Sequence, residues 1–435
     1  MAAKTVYLHS LGCDKNLVDS ELMLGLLYEA GYKSEAEPSK AGLIVVNTCG
    51  FIQEAVEEAI EVILEMAAHK IDAGNGGACQ RLIVSGCMAQ RYRQQLAAEI
   101  PEIDEILGVN DFPKITGQTV DVLDDSLYQK RAQTMPMHVA YVKISEGCDN
   151  HCTYCTIPQI RGPYRDRAFE SIIDECKRLL KGGARELVLI AQDTARYGMQ
   201  KYGKQRLHEL MAAITKIEPL DDLVHLRLMY AYPEHVYNEL IDTISKHNKI
   251  CNYIDMPIQH SSDSVIKRMG RKSTSEGLRL LIKKLRSASI AIRSTLIVGF
   301  PGETDEEFEE LYDFVTEAKF DHLGVFTYSK EEGTPAATMK PQVPKAIKQK
   351  RQETLMLLQA KIADENGQKL IGQQLTVMVD GSIAPTTYSG RSQRDAYDVD
   401  GAIFFESTRE LMSGDTVQIR IVSAKNYDLY GELMD

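Results

Sequence analysis

The chain has 435 residues, 44% of them hydrophobic and 26% charged, with a formal net charge of −12. That length exceeds what one hydrophobic core supports and predicts two to four domains. The acidic balance argues against a general phosphate-binding surface, and no run reaches the roughly eighteen apolar residues of a membrane span, so a cytoplasmic protein without a membrane partner is expected.

The N-terminus enters a strand pattern directly, without the apolar region and cleavage site of a secretory signal. Residues 5–9 predict a strand and 16–28 an amphipathic helix. Residues 43–46 form a short apolar strand, and 53–68 a helix with Glu57, Glu58 and Glu61 on its polar face. A Gly-rich loop at 72–78 precedes a strand at 81–85 and a helix at 89–99. Repeated strand–helix units predict a parallel, Rossmann-like α/β domain over residues 1–117. Residues 118–137 show little periodicity and read as a linker.

From His138 the alternation resumes. Strands are predicted at 139–144, 186–190, 225–228, 253–256, 291–298 and 322–327, with a long charged helix at 345–365. Six such units over residues 138–370 predict a partial (β/α)6 barrel. Residues 371–435 are β-rich at 375–379, 402–405 and 416–422 and predict a small OB-like β-barrel.

Six of the nine cysteines form two sets of three. Cys148, Cys152 and Cys155 lie in one loop with C-x3-C-x2-C spacing, just past the first barrel strand. A structural zinc site takes four ligands, whereas three thiolates can hold three irons of a cubane cluster and leave the fourth open to a substrate. Barrel enzymes place their chemistry on such loops. Cys13, Cys49 and Cys87 each follow a predicted strand of the first domain, where open α/β sheets bind ligands. Cys79, Cys176 and Cys251 have no such setting and read as small core residues.

The run Glu146-Gly-Cys-Asp-Asn-His-Cys-Thr-Tyr-Cys-Thr-Ile-Pro-Gln-Ile-Arg-Gly162 resembles the methylthiotransferase branch of the radical S-adenosylmethionine superfamily. Ser10-Leu-Gly-Cys-Asp-Lys-Asn-Leu-Val-Asp-Ser-Glu21 is similar to the members that methylthiolate an aspartate of ribosomal protein uS12. Tyr230-Ala-Tyr-Pro and the segments 253–264 and 326–336 add to the likeness, which spans the chain and implies a C-terminal TRAM domain.

The resemblance implies two 4Fe–4S clusters, one on Cys148, Cys152 and Cys155 and a second on Cys13, Cys49 and Cys87. The open iron of the first would chelate S-adenosylmethionine, and one electron would yield a 5′-deoxyadenosyl radical able to take hydrogen from an unactivated carbon. The second cluster would deliver sulfur, and a second S-adenosylmethionine the methyl group, giving a methylthio group on the aspartate β-carbon. An external electron donor and a sulfur donor are implied, with uS12 or the small ribosomal subunit as partner; a monomer is expected. The runner-up is a sister enzyme acting on a tRNA adenosine. A third reading is a non-catalytic iron–sulfur carrier or an RNA-binding module.

Further candidates for the S-adenosylmethionine site are Tyr154 between two cysteines, Gly182 and Gly183 before the second barrel strand, and Gln192 and Gln259 at strand ends. Arg293 on the fifth strand and Gly299 in the turn after it complete the set. His260 reads as a satisfied histidine at the barrel rim. Residues 371–435 hold ten acidic against five basic residues, a balance suited to a basic protein partner rather than to a phosphate backbone.

Overall fold

The computed structural model describes residues 4–219 and 222–434; Met1–Ala3, where the reading of the N-terminus begins, Leu220, Asp221 and Asp435 lie outside the described residues. The chain forms two compact units. The first comprises Met1–Thr134, Ser145–Ser171 and Glu331–Thr334; the second comprises Met135–Ile144, Ile172–Lys330 and Pro335–Asp435.

In the first unit, strands β1 (Thr5–Ser10), β2 (Lys33–Ser34), β3 (Leu43–Thr48), β4 (Arg81–Gly86) and β5 (Glu105–Leu107) form one parallel sheet in the order β2-β1-β3-β4-β5. The apolar runs of β3 and β4 are buried nearly throughout, as parallel strands covered on both faces must be. Helices α1 (Asp14–Glu29) and α2 (Gln53–Ala67) supply the covers. Ala59, Ile63 and Met66 of α2 pack on Ile44, Val46, Leu82 and Val84 of the sheet. The helix predicted at 89–99 starts earlier and breaks at Tyr92, giving α3 (Cys87–Arg91) and α4 (Arg93–Glu99).

The segment read as a linker contains a short helix, Asp125–Gln129, with Leu127 and Tyr128 buried. Its continuation is fixed by Glu21 of α1, whose carboxylate accepts from Arg131 Nε at 2.7 Å and from Thr134 N at 2.6 Å. Ser145–Ser171 carries the Cys148 loop and the helix Ile157–Arg161. Glu331 is buried and accepts from Arg91 Nη1 at 2.8 Å and from the backbone of Gln53 at 3.1 Å.

In the second unit six parallel strands run Val139–Lys143, Glu186–Ile190, His225–Leu228, Tyr253–Asp255, Ala291–Val298 and His322–Thr327. Their ladders form two groups of three. Single bonds span the gap, from Leu226 N to Lys249 O at 2.7 Å and from Cys251 N to Leu226 O at 2.9 Å. The helix Asp305–Ala318 begins with a capping box of Thr304 and Glu307. The helix Lys345–Gln368 follows the last of these strands and leads to a closed β-barrel of Gln374–Ala384, Thr387–Arg391, Ile403–Glu406, Asp428–Leu433 and Thr416–Lys425. Val377, Val379, Tyr388, Phe405, Ile419 and Ile421 are buried inside it.

The small barrel is joined to the first residues of the parallel strands. Arg391 and Arg227 both reach Glu186, each at 2.7 Å. His138 lies 3.0 Å from Asp380, Tyr253 Oη donates to Asp400 at 2.8 Å, and His322 lies 3.5 Å from Asp395. Three of the ten acidic residues counted in the tail therefore face this junction. Among the described residues no helix is long and apolar enough to cross a membrane.

Candidate active site

Strands β1, β3 and β4 are neighbours in the sheet, so the residues just past their C-terminal ends lie side by side. These residues carry Cys13, Cys49 and Cys87. Cys13 caps the N-terminus of α1, its carbonyl accepting from Leu17 N at 3.1 Å. Cys49 follows β3 directly, and Cys87 opens α3 directly after Gly86. Gly86 has φ +96, and a β-carbon there would lie 2.5 Å from Thr48 O, so a larger residue could not make the turn.

The three thiols are within electrostatic reach of one another. Burial pushes the Cys87 thiol up to about 12, with Arg161 opposing and Cys13 and Cys49 adding to the rise. Burial likewise raises Cys49. Thiols raised in this way are not reactive nucleophiles, and a bound cation would be needed to hold them as thiolates.

Asn16 organises this end of the sheet. Its Nδ2 donates to Leu11 O and to Thr48 O, both at 3.0 Å, and its Oδ1 lies 3.6 Å from Cys87 Sγ. Asn47 Nδ2 donates to Asn16 O at 2.8 Å and to Ser20 Oγ at 2.9 Å.

The loop of Cys148, Cys152 and Cys155 lies in the same compact unit. All three cysteines are half-buried. Cys148 Sγ accepts from Asn150 N and Cys155 Sγ from Ile157 N, each at 3.4 Å, and Cys155 N donates to Cys152 O at 3.1 Å. Backbone N–H groups aimed at sulfur stabilise thiolates and tune iron–sulfur sites. Burial pushes Cys155 up to about 12, with Cys152 and Cys148 beside it adding to the rise. The donor sets therefore fit two clusters with three thiolates each. Tyr154 is half-buried between Cys152 and Cys155.

The helix after this loop meets the other triad: Ile160 packs with Cys87 and Val109. Arg161 is 2% exposed and donates to Asn16 Oδ1 at 2.6 Å, to Asp19 Oδ2 at 3.2 Å and to Glu146 Oε1 at 3.0 Å. Asn16, Asp19, Glu146 and Arg161 were not singled out from the sequence. The available signal was their place inside the two cysteine phrases.

In the second unit the other candidates separate by strand end. Gln259, with φ +70, sits toward the C-terminal end of Ala291–Val298, its backbone bonded to Thr295 O and Ile297 N. Among the described residues its buried Oε1 has no hydrogen-bond partner, as a group awaiting a ligand would. Gln192 follows the end of Glu186–Ile190, beside Asp193, which lies 2.6 Å from His235 Nδ1. Gly182 and Gly183 precede that strand and lie at its opposite end, where Gly183 faces Met137. Arg293 pairs with Asp255 at 3.2 Å and with Asp400 at 3.3 Å and belongs to the small-barrel junction. Gly299 is covered by the side chain of Lys348, whose Nζ donates to Tyr328 O at 2.7 Å. The structure therefore groups Gln192 with Gln259 by strand end and sets Gly182, Gly183 and Arg293 apart.

His260 is fully buried, accepts from Ser262 N at 3.0 Å, and is pushed down to about 3 by burial. Glu186, His225 and Cys251 also cluster, their ligand atoms within 4.8 Å of one another. Two guanidinium groups already balance the Glu186 carboxylate, which makes this a buried ion-pair site rather than a place for a dication. Cys79, Cys176 and Cys251 are buried, as small core residues should be.

Three family models match the chain: uncharacterized protein family UPF0004 at residues 5–108, the radical SAM superfamily at 142–315 and the TRAM domain at 371–434. Among solved structures, the radical S-adenosylmethionine methyltransferase TsrM from Kitasatospora setae aligns with a TM-score of 0.57 at 13% identity, covering 89% of this chain and 77% of that one. The cobalamin-dependent S-adenosylmethionine radical enzyme OxsB aligns with a TM-score of 0.51 at 13% identity, covering 84% and 56%. At those identities the likeness shows the fold. Ribosomal protein uS12 methylthiotransferase RimO of Lachnoclostridium phytofermentans is 46% identical, with 98% of this chain and 99% of the relative covered. Its namesake from Clostridioides difficile is 44% identical, with 99% and 98% covered. The chain belongs to the family of ribosomal protein uS12 methylthiotransferases.

Proposed function

We propose that this chain methylthiolates the β-carbon of an aspartate in ribosomal protein uS12, with Cys148, Cys152 and Cys155 holding one 4Fe–4S cluster and Cys13, Cys49 and Cys87 a second. The observation that carries the assignment of residues is the convergence of three strand-end thiols in the compact unit that also holds the C-x3-C-x2-C loop. When bound, a cluster with one open iron supplies an electron to S-adenosylmethionine, and so a radical able to attack a carbon whose hydrogen no side-chain base can remove.

The protein's own part is placement. Asn16 holds the Leu11, Thr48 and Cys87 segments together, so the second donor set is assembled before any metal arrives. The amides of Asn150 and Ile157 hold the sulfurs of the first. Gln259 offers a carbonyl oxygen without a partner among the described residues, toward the C-terminal end of the barrel strands, suited to an amino or hydroxyl donor of S-adenosylmethionine, with Gln192 as a second polar group at that end. In the other unit, Tyr154 stands beside the loop cysteines. An external electron donor and a sulfur donor complete the reaction, and the protein works as a cytoplasmic monomer on uS12 or the small ribosomal subunit. The full-length likeness to uS12 methylthiotransferases favours this substrate over a tRNA adenosine.

Anaerobic reconstitution tests the donor assignment. The wild type should bind about eight irons per chain, and Cys13→Ala, Cys49→Ala or Cys87→Ala about four while still releasing 5′-deoxyadenosine from S-adenosylmethionine. Full iron content in those variants would remove the second assignment.

A further inference from the structure

We propose that Arg161 is a positioning residue that ties the second cysteine triad to the loop of the first and places a positive charge beside the triad, favouring the reduced form of the cluster held there. The inference rests on the reading that Cys13, Cys49 and Cys87 hold a cluster.

The geometry is a single buried fork. Arg161 Nη2 donates to Asn16 Oδ1 at 2.6 Å, while Nη1 reaches Asp19 at 3.2 Å and both oxygens of Glu146 at 3.0 and 3.1 Å. Asn16 in turn bonds the carbonyl oxygen of Leu11, two residues before Cys13, and of Thr48, one before Cys49, and its Oδ1 lies 3.6 Å from Cys87 Sγ. One guanidinium thus acts, through one amide, on all three loops of the triad. Its other end holds Glu146, two residues before Cys148, and Ile160 beside it packs on Cys87. A planar five-donor group can make these contacts together; an ammonium cannot.

Burying an arginine is unfavourable unless its charge is met. Asp19 and Glu146 meet it here, and the buried cation is within electrostatic reach of the sulfurs of Cys87, itself buried, and of Cys13. A charge in that low-dielectric setting stabilises the more negative state of a nearby iron–sulfur group. Removing it leaves two carboxylates near the triad, so both changes push the potential down.

The test is potentiometry of anaerobically reconstituted full-length protein, followed by electron paramagnetic resonance, on wild type, Arg161→Met, Arg161→Lys and Cys13→Ala. Cys13→Ala identifies the second-cluster signal by its loss; if both signals persist there, the reading beneath the proposal falls. With that signal identified, Arg161→Met should move its midpoint to lower potential by more than it moves the first cluster's. Arg161→Lys, which keeps the charge, should stay closer to wild type. Loss of the signal from both variants would support the tie, and loss from Arg161→Met alone the charge. A signal retained in Arg161→Met with an unchanged midpoint, or equal midpoint shifts in the two variants, would overturn the proposal.

Discussion

Gly12 and Cys49 meet so closely that a β-carbon on Gly12 would lie 2.8 Å from Cys49 Cβ and 3.1 Å from its Sγ. Gly12 also has φ +89, in the region that side chains disfavour. The loops after β1 and β3 are therefore packed through a missing side chain. Gly12→Ala should displace Cys49 and cut reconstituted iron from about eight to about four per chain, with helix content by circular dichroism unchanged. Wild-type iron content in this variant would show that the close approach is incidental.

Asn16 bonds two buried backbone carbonyls and a buried guanidinium. Asn16→Leu keeps much of the volume and strands all three. A cost of roughly 2–4 kcal/mol is expected, from unsatisfied buried groups at about 1–3 kcal/mol each with partial relaxation. Urea unfolding of the metal-free protein should show it as a lower midpoint; a change under about 0.5 kcal/mol, the range of ordinary surface substitutions, would contradict the role given to Asn16.

Arg391 joins the C-terminal barrel to Glu186 at 2.7 Å and to Asp380 at 2.8 Å. Arg391→Met leaves part of that buried charge unmet and should destabilise the protein by roughly 3–5 kcal/mol. Adding Asp380→Asn should recover part of the loss, because Glu186 keeps Arg227 while Asp380 loses the guanidinium that held it. If the double variant is no more stable than the single one, the pair is not coupled as described.

The same junction sets an acid limit. Burial pushes His225 down to about 4, against an ordinary 6.5, although Glu186 beside it favours the charged form. The unfolded chain then binds a proton below pH 6.5 that the folded one refuses until about 4, so stability is lost as pH falls through that window. The loss approaches about 3 kcal/mol from this one group. Glu186 is raised by burial, but Arg391 and Arg227 outweigh that and hold it at about 2, so its contribution is present above 4.5 and lost below. Urea midpoints should fall between pH 7 and 5, and His225→Phe should flatten that slope. An equal slope in the variant would count against the assignment.

The six barrel strands were legible because short segments with apolar residues recur between polar helices, and their predicted and observed bounds agree within a residue. The strands Thr387–Arg391 and Asp428–Leu433 were missed. Their burial alternates and their sequences are polar or glycine-bearing, so pairing within a closed barrel, not local preference, makes them strands. The cysteine triads were legible as residues that follow strands. Arg161 was not, because a buried arginine looks like any other until the groups around it are known. Gly182 and Gly183 are candidates by likeness to the superfamily's Gly-Gly-acidic segment and Arg293 by its place on the fifth strand, but the strand end a residue occupies, which the structure gives, is not written in its local sequence. The acidic tail suggested a basic partner, yet Asp380, Asp395 and Asp400 are engaged with the core and offer that partner nothing.

The methylthio group that this chain places on uS12 adds a defined mass to that protein. The most direct measurement is the intact mass of uS12 from a strain lacking the gene, beside the parent and the strain complemented with the full chain. In the deletion uS12 should lose one methylthio group, regain it with the wild-type chain, and fail to regain it with Cys13→Ala. Unchanged uS12 with a methylthio group missing from a tRNA nucleoside instead would contradict uS12 as the substrate.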